Sequence, residues 1–214
     1  MIDKLSGLLT GRVFSGGRPA GLSYRYFARK IDADLGPDGS GHCILFSSPE
    51  GVGITSDVLV KLAQTFQGEL GRTVLVVDAT LCVDGVGSHA GNDGRPGVVD
   101  ILYGGKSAEG LVVNTRFRDV YVLPSGKNPA ESTARLDPAR IAALLDGLRQ
   151  KYDYVLVQAG SLLGDTRYLP FAQAVDMNVL VAIDGKTFSD DIEQAKKVLK
   201  DLGDGDVRLV LIKQ

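Results

Sequence analysis

This sequence of 214 residues has few cysteines and histidines and no long apolar segment. Its composition therefore does not indicate a disulfide-rich, metal-binding or membrane-spanning protein. Cys43 and Cys82 lie too far apart in sequence for a disulfide framework or a zinc motif, and core packing explains them better. His42 and His89 each lack a nearby second ligand, so both are expected to be ordinary surface or loop residues. No stretch approaches the roughly 18 consecutive apolar residues of a membrane-spanning helix. Because glycines and charges also interrupt any signal-peptide core in residues 1–14, we expect a cytoplasmic protein.

The charged residues have no excess of either sign. Lysine and arginine number 24, and aspartate and glutamate number 26, so the net charge is −2. Because the two signs are interspersed, neither a basic surface for nucleic acid nor a polybasic run for an anionic membrane is predicted. Hydrophobic residues make up 44% of the chain, which is enough for one well-buried core and favours a single domain.

What the sequence does contain is an alternation of apolar runs and helical patterns. The predicted strands are 43–47, 73–77, 120–123, 154–157, 179–183 and 208–212. Helical patterns cover 56–70, 138–151 and 189–202, with a shorter one near 97–103. This alternation predicts a doubly wound α/β fold, in which a mostly parallel sheet carries helices on both faces.

Two glycine-rich stretches divide the chain. The first, 36–41, follows a helix predicted over 22–35, so we expect residues 1–41 to form an N-terminal helix and linker and residues 42–214 the α/β unit, within one domain overall. The second, 83–95, leaves the carboxyl end of a strand, where ligand loops of open α/β sheets lie. A loop without function fits that stretch equally well.

Residues 44–56 are the most informative segment. They read Ile-Leu-Phe-Ser-Ser-Pro-Glu-Gly-Val-Gly-Ile-Thr-Ser, a strand running into a phosphate-binding loop, in which backbone N–H groups and one lysine would face phosphates. Gly51 and Gly53 keep the backbone cradle, but Ile54 occupies the lysine position. A tight strand-to-helix turn needs glycine for steric reasons alone, so the loop by itself is weak evidence for a nucleotide.

Two further segments make the pattern more specific: 74–81, Val-Leu-Val-Val-Asp-Ala-Thr-Leu, and 152–160, Tyr-Asp-Tyr-Val-Leu-Val-Gln-Ala-Gly. Together with the loop they resemble the cytoplasmic domain of bacterial tyrosine kinases (BY-kinases), P-loop proteins that pair with membrane co-polymerases in exopolysaccharide export. The family's loop, similar to S-x-x-P-G-E-G-K-[ST]-T, aligns with 51–56. Its D-x-D aligns with 78–80, and its Y-D-Y-hydrophobic-D-T-P-P aligns with 152–161. Segments 96–104 and 120–127 also resemble its P-G-L-x-D-x-L-x-G and L-x-x-L-P-A-G motifs.

The departures from this family fall on charged groups. Ile54 stands where the family has the lysine that neutralises phosphate oxygens, Gln158 where it has the acid of the magnesium shell, and Thr80 where it has the second acid of D-x-D. Loss of one preorganised charge at a phosphoryl-transfer site commonly costs about 10²- to 10³-fold in rate. The resemblance therefore implies a chain with a degenerate Walker A motif and little phosphoryl transfer.

Some groups that could meet a nucleotide remain. They are Gly51, Gly53, Thr55 and Ser56 of the vestigial phosphate loop, and Asp78 at the end of a strand. Thr55 keeps a hydroxyl for magnesium, and the glycines with the following helix N-terminus keep an anion site. We predict no active catalytic residue, Asp78 being vestigial, and no resident cofactor or metal. Weak binding of ATP or ADP, with Mg²⁺ held by Thr55 and Asp78, is the alternative.

The N-terminal helix resembles the family's E-A-[FY]-R-x-L-R region, which packs one subunit against the next. Tyr24 and Arg25 match it, Arg29 lies one position beyond its second arginine, and Leu22 stands where it has the acid. The resemblance implies an interface at Tyr24, Arg25 and Arg29, and hence a homo-oligomer. Tyr24 and Phe27 at helical spacing also fit a face that packs on the core.

Three functions follow from the resemblance. The favoured one is a catalytically degenerate pseudokinase that acts as a regulatory or scaffolding partner in exopolysaccharide biosynthesis and export. It would be peripheral at the inner membrane through a co-polymerase or export protein. The second is an active ATP-dependent tyrosine kinase or ATPase that recruits another lysine: Lys61, Lys106, Lys127 or Lys186. The third is a nucleotide switch of the MinD/ParA kind, which needs a signature lysine that residues 47–50 do not offer.

Overall fold

The computed structural model describes residues 11–14, 20–36, 41–50, 56–81, 95–126, 136–203 and 206–212. Within these ranges the strands are β1 Gly11–Phe14, β2 His42–Ser48, β3 Val74–Asp78, β4 Val113–Asn114, β5 Val120–Leu123, β6 Tyr154–Ser161, β7 Met177–Ile183 and β8 Asp206–Ile212. The α-helices are α1 Ala20–Leu35, α2 Ser56–Leu70, α3 Val98–Leu102, α4 Pro138–Arg149, α5 Leu169–Gln173 and α6 Ser189–Leu202, with a 3₁₀ turn at Thr166–Tyr168. No helix in the described part of the chain is both long enough and apolar enough to cross a membrane.

All eight strands join one sheet in the order β1-β8-β7-β2-β6-β3-β5-β4. Neighbouring strands run parallel, except that the short edge strand β4 is antiparallel to β5. This confirms the predicted doubly wound, mostly parallel α/β fold. The prediction omitted β1, β4 and α5, and it extended the helix after Pro138 two residues too far. The central strand β2 is buried along its whole length, which explains why its residues 43–46 form a continuous apolar run rather than an alternating pattern.

Successive side chains of each strand point to opposite faces, so the sheet has two cores. Cys43 and Leu45 point to the face covered by α3, α4, α5 and α6, whereas Ile44 and Phe46 point to the face covered by α1 and α2. Helix α1 adds the buried side chains of Tyr24, Phe27, Ala28 and Ile31 to the second core. The predicted division at residue 41 therefore separates segments that share one core, and its place stays a prediction.

His42 corrects one expectation. It is not a surface or loop residue but the first residue of β2, only 8% exposed, with Nε2 2.9 Å from the carbonyl oxygen of Gly36. Its ring also lies 5.7 Å from that of Tyr154. His42 thus packs at the end of the second core where β2 begins, next to the residue that follows α1.

The Tyr-Asp-Tyr segment at the start of β6 forms hydrogen bonds to neighbouring elements. The Asp153 carboxylate accepts hydrogen bonds from the backbone N and Oγ1 of Thr73, both at 2.7 Å, just before β3. Burial by itself would raise the pKa of Asp153, but the bonds from Thr73 outweigh it and lower that pKa. Tyr154 donates its hydroxyl to Asp32 Oδ1 at 2.6 Å, and burial together with this bond raises the pKa of the phenol. These bonds tie β3, β6 and α1 together.

The segments 96–104 and 120–127, which also resemble motifs of that family, contact each other. The backbone N–H groups of Val98 and Val99 at the start of α3 donate to the carbonyl oxygens of Pro124 and Ser125 after β5, each at 2.9 Å. A Cβ atom at Gly97 would lie 1.9 Å from the carbonyl oxygen of Pro124. Only glycine therefore fits this junction without a backbone shift.

The substitution Gly97→Ala should lower the free energy of unfolding by about 2–4 kcal/mol, because the added methyl group forces the α3 and β5 motifs apart. Equilibrium denaturation in urea measures this change. Gly68→Ala is the matched control: Gly68 lies in α2 with nothing within 4 Å of an added Cβ, so alanine there should raise stability by up to about 1 kcal/mol. Equal effects of the two variants would contradict the steric explanation.

Candidate functional site

The candidate site lies at the carboxyl ends of β2, β3 and β6. Strand β6 lies between the other two, and its Gln158 is in register with Phe46 of β2 and Asp78 of β3. From β2 the chain passes to β3 and β5 on one side, and it later returns to β7 and β8 on the other. The strand order thus reverses beside β2, and ligands of open α/β sheets bind at the carboxyl ends of strands at such a reversal.

The phosphate-loop residues Gly51, Gly53, Ile54 and Thr55 lie outside the described residues, and Ser56 is described only as the first backbone position of α2. The strand end that leads into this loop is well anchored. Its backbone carbonyls accept hydrogen bonds from the segment after β6, with Leu162 N donating to Ser48 O at 2.9 Å and Leu163 N to Pro49 O at 3.0 Å. The start of the loop is therefore held against the end of β6.

Asp78 is a buried carboxylate at the end of β3, only 1% exposed. Its Oδ1 accepts hydrogen bonds from the hydroxyl of Thr80 at 2.6 Å and from the backbone N of Thr80 at 3.2 Å. Thr80 stands where the resembled family has its second acid. Asp78 and Thr80 therefore form a hydrogen-bonded pair of one carboxylate and one hydroxyl. Two carboxylates at these positions would repel each other and favour a bound cation, whereas this pair has no such repulsion.

Gln158, the second residue of the site on β6, is 5% exposed. Its side chain is a neutral amide where the resembled family has an acid, and its backbone carbonyl accepts from Ala79 N at 2.9 Å. Magnesium at phosphate sites is held by one or two carboxylates together with phosphate oxygens and waters. Among the described residues, no group of three or more His, Cys, Asp or Glu side chains could hold a metal ion. At the ends of β3 and β6 the described residues thus offer the carboxylate of Asp78 and the amide of Gln158, while Thr55, the other predicted magnesium ligand, lies outside them.

Tyr168 covers the strand ends and was not among the predicted site residues. Its hydroxyl donates to the carbonyl oxygen of Thr80 at 2.7 Å, and a Cβ atom at Gly160 would lie 2.7 Å from its ring. Leu81, the next residue after Thr80, has a left-handed φ of 58°. The signal in the sequence was Gly160 itself, which stands where the resembled motif has proline. Glycine leaves room there for the tyrosine ring.

The three predicted interface residues lie in different environments. Tyr24 is 6% exposed and packs in the second core, so it does not belong to an exposed face. Arg25 and Arg29 are exposed, at 61% and 67% of their side chains, and both pair with Glu69 of α2 at 2.8 and 3.1 Å. The two arginines therefore form one cationic pair around a shared carboxylate. Their role in an interface stays a prediction.

The lysines named as alternatives for phosphate binding are also scattered. Lys61 is exposed on α2, Lys106 pairs with Asp100 at 2.9 Å, and Lys127 lies outside the described residues. Lys186 is in the turn after β7, at the same edge of the sheet as Asp78. Lys186 is thus the described member of this set that follows the carboxyl end of a strand.

Comparison with known proteins identifies the relatives of this chain. Tyrosine-protein kinase ptk of Acinetobacter johnsonii is 26% identical over 140 residues, which are 65% of this chain and 18% of that protein. Tyrosine-protein kinase CpsD of Streptococcus pneumoniae is 24% identical over 131 residues, 58% of each chain. This chain is therefore similar in sequence to bacterial tyrosine-protein kinases. It spans about a fifth of the length of ptk and little more than half of CpsD. No family model matches it.

Solved structures place the fold in the same group. The kinase domain of the Escherichia coli tyrosine kinase ETK superposes with a TM-score of 0.74 at 17% identity, over 91% of this chain and 76% of that chain. The septum site-determining protein MinD of Pyrococcus horikoshii, complexed with Mg-ADP, gives 0.64 at 24% identity over 78% and 68%. The predicted resemblance to BY-kinases is confirmed, and the fold is also similar to that of MinD.

The substitution Thr80→Asp should separate an uncharged site from a latent metal site. It restores the second acid beside a buried carboxylate, so in metal-free buffer the free energy of unfolding should fall by about 1–3 kcal/mol. Millimolar Mg²⁺ should then raise the melting temperature of the variant but not that of the wild type. Thermal melts with and without Mg²⁺ measure both effects.

Thr80→Asn is the matched control, because it has the shape of the aspartate and keeps a donor for Asp78 without adding charge. Its melting temperature should not respond to Mg²⁺. If the wild type itself gains several degrees from Mg²⁺, the carboxylate–hydroxyl pair does bind a cation and the interpretation of Asp78 is wrong.

Proposed function

We propose that this chain is a catalytically degenerate homologue of bacterial tyrosine kinases that acts by contact rather than by phosphoryl transfer. One observation carries the proposal: the buried Asp78 carboxylate accepts a hydrogen bond from the Thr80 hydroxyl, at a position where the resembled family has a second acid. With the neutral Gln158 in register beside it, the strand ends supply one carboxylate where that family supplies three.

The chemistry of phosphoryl transfer makes this loss decisive. Catalysis there consists of positioning and of electrostatic stabilisation by lysine and carboxylate-held metal ions, with little covalent chemistry left for the protein. Ile54, Gln158 and Thr80 together remove one cation and two metal-shell acids. Effects in such a cluster do not add simply, but each alone is worth about 10²-fold or more. A kinase or ATPase that uses Lys186 instead would still lack those acids.

The proposed role is that of a regulatory or scaffolding partner in exopolysaccharide biosynthesis and export. The partner would be a membrane polysaccharide co-polymerase or export protein, which would hold the chain at the inner membrane, and a homo-oligomer fits the same scheme. The candidate docking surface is the exposed pair of Arg25 and Arg29 on α1. These two cations lie on the exposed face of a helix whose opposite face packs in the second core. No nucleic-acid partner is proposed.

The wild-type protein should bind MgATP with a dissociation constant above about 1 mM and show no measurable turnover, because the phosphate cation and the metal-shell acids are missing. Isothermal titration calorimetry and a phosphate-release assay measure the two quantities. A micromolar dissociation constant, or hydrolysis by the purified wild type, would refute the degenerate reading.

The double variant Ile54→Lys with Gln158→Asp tests whether the backbone cradle survives. Its affinity for MgATP should rise by roughly 10-fold or more, since charged hydrogen bonds are worth about 1.5–3 kcal/mol each. Ile54→Met with Gln158→Asn is the matched control, which changes the same side chains without adding charge. No gain in the charged variant would mean that the loop itself no longer fits phosphates.

Reversing the α1 cations with Arg25→Glu and Arg29→Glu should abolish association with the partner and polymer export. Pull-down of the co-polymerase and a polymer assay in cells read out these effects. The free energy of unfolding should change by less than about 1 kcal/mol, because exposed ion pairs contribute little to stability.

A third change, Glu69→Arg, provides the control. It restores the internal ion pairs of the reversed helix, so any loss due to repulsion from Glu69 should recover, whereas loss due to the charge shown to the partner should persist. Export that tolerates both variants would exclude this helix as the docking face. Export that survives deletion of the whole gene would refute the scaffolding role.

A further inference from the structure

A groove with a volume of about 610 Å³ runs along α4, on the sheet face opposite α1 and α2. It lies between α4 and the connection from α3 to β4, here called the α4 groove. Its floor is apolar and includes Ile101, Leu144 and Leu148. The volume falls within the roughly 300–1,000 Å³ of small-molecule sites. Apart from Lys106, which was named above among the alternative phosphate-binding lysines, none of the residues assigned to the candidate nucleotide site lines this groove.

Polar contacts cross the α4 groove at both ends. At one end, Arg140 Nη1 of α4 donates to the carbonyl oxygen of Leu102 at 3.0 Å. At the other, Lys151 Nζ lies 3.6 Å from Glu109 Oε1 of the connection. An extended peptide would have to break these contacts to pass through, whereas a small molecule could lie between them. The ends are separated by eleven residues of α4 and its C-terminal turn, or roughly 16 Å.

The N–H donors of the groove can meet an anion. Lys106, Arg140 and Lys151 line it, and each also lies within 4 Å of a carboxylate: Asp100 at 2.9 Å, Asp137 at 3.9 Å and Glu109 at 3.6 Å respectively. Lys106 and Arg140 lie near the same end, because they bond to Asp100 and to Leu102 O of α3 respectively. A lysine has three N–H donors and an arginine five, so both keep donors for a ligand. A phosphate group has the charge and the acceptors that this end can bind.

The opposite end offers an aromatic surface. Tyr152 lines the groove there, and its ring centroid lies 5.3 Å from that of Tyr121. Burial and the neighbouring Tyr121 raise the pKa of Tyr152, so its phenol stays neutral and can donate a hydrogen bond. Gly147 lies between the two ends, with nothing within 4 Å of an added Cβ. A flat ring could therefore approach the backbone of α4.

We propose that the α4 groove binds a small aromatic monophosphate of nucleoside 5′-monophosphate size, with its phosphate at Lys106 and Arg140 and its ring toward Tyr152. The site is independent of the phosphate loop and of Mg²⁺, and it does not rest on the scaffolding role. It gives the chain a way to respond to a small metabolite through the face opposite α1. Lys106 also bonds to Asp100 of α3, the helix whose start contacts the segment after β5.

Adenosine 5′-monophosphate is the probe, titrated into the full chain without Mg²⁺ and followed by methyl NMR and calorimetry. Saturable shifts should appear at the methyl groups of Ala143, Leu144 and Leu148, with a dissociation constant of roughly 0.01–1 mM. Adenosine or inorganic phosphate alone should bind at least 10-fold more weakly, because each satisfies one end of the groove. Uridine and guanosine monophosphates test how strictly the ring is selected.

Gly147→Phe should fill the groove and weaken adenosine monophosphate binding at least 10-fold, whereas Gly68→Phe on the opposite face of the sheet should change it less than 2-fold. Both glycines lie in helices with open space around a Cβ position, so both variants should fold, which thermal melts check. Lys106→Gln should weaken the monophosphate but not adenosine. Absence of saturable binding by any of the three nucleotides, binding that requires Mg²⁺, or binding that survives Gly147→Phe would overturn the proposal.

Discussion

The insertion of β6 between β2 and β3 is the constraint on which the rest of the molecule depends. Strand β6 forms parallel hydrogen bonds with both neighbours, so Ser48, Asp78 and Gln158 lie together at the carboxyl ends of the three strands. At the amino ends of β3 and β6, the bonds between Asp153 and Thr73 fix the same register. A slip by one residue would exchange the side chains of the two cores and expose apolar groups on both faces. The geometry of the candidate site is therefore a consequence of core packing.

The same register sets the surroundings of the Asp78 carboxylate. A buried carboxylate without partners is costly, and two adjacent carboxylates need a cation between them. Here the hydroxyl of Thr80 satisfies Asp78, and Tyr168 closes over Gly160 while bonding to the Thr80 carbonyl. The site is satisfied by neighbouring groups of the same chain. A contact-based function is compatible with such a site, because it needs the folded surface and not the reactive centre.

Much of the fold could be predicted from the sequence, because the spacing of apolar residues in a segment indicates whether it forms a helix or a strand. Helices 56–70 and 189–202 and strand 120–123 have the predicted bounds. The errors fall on elements that depend on distant partners. The two residues of β4 form a strand only because β5 lies beside them, and β1 pairs with β8 nearly two hundred residues away. Neither carries an apolar run of its own, so no local pattern could reveal it.

The sequence by itself determined the alternation of strands and helices, the family resemblance, and the uncharged residues Ile54, Thr80 and Gln158 at positions where the resembled family has charged ones, because periodicity and residue identity are local properties. Only the tertiary structure decided which groups surround Asp78 and which side chains are exposed. It placed Tyr24 in the core, joined Arg25 and Arg29 through Glu69, and set Tyr168 against Gly160. Each of these contacts joins residues from different elements, so its energy depends on packing that no single segment encodes.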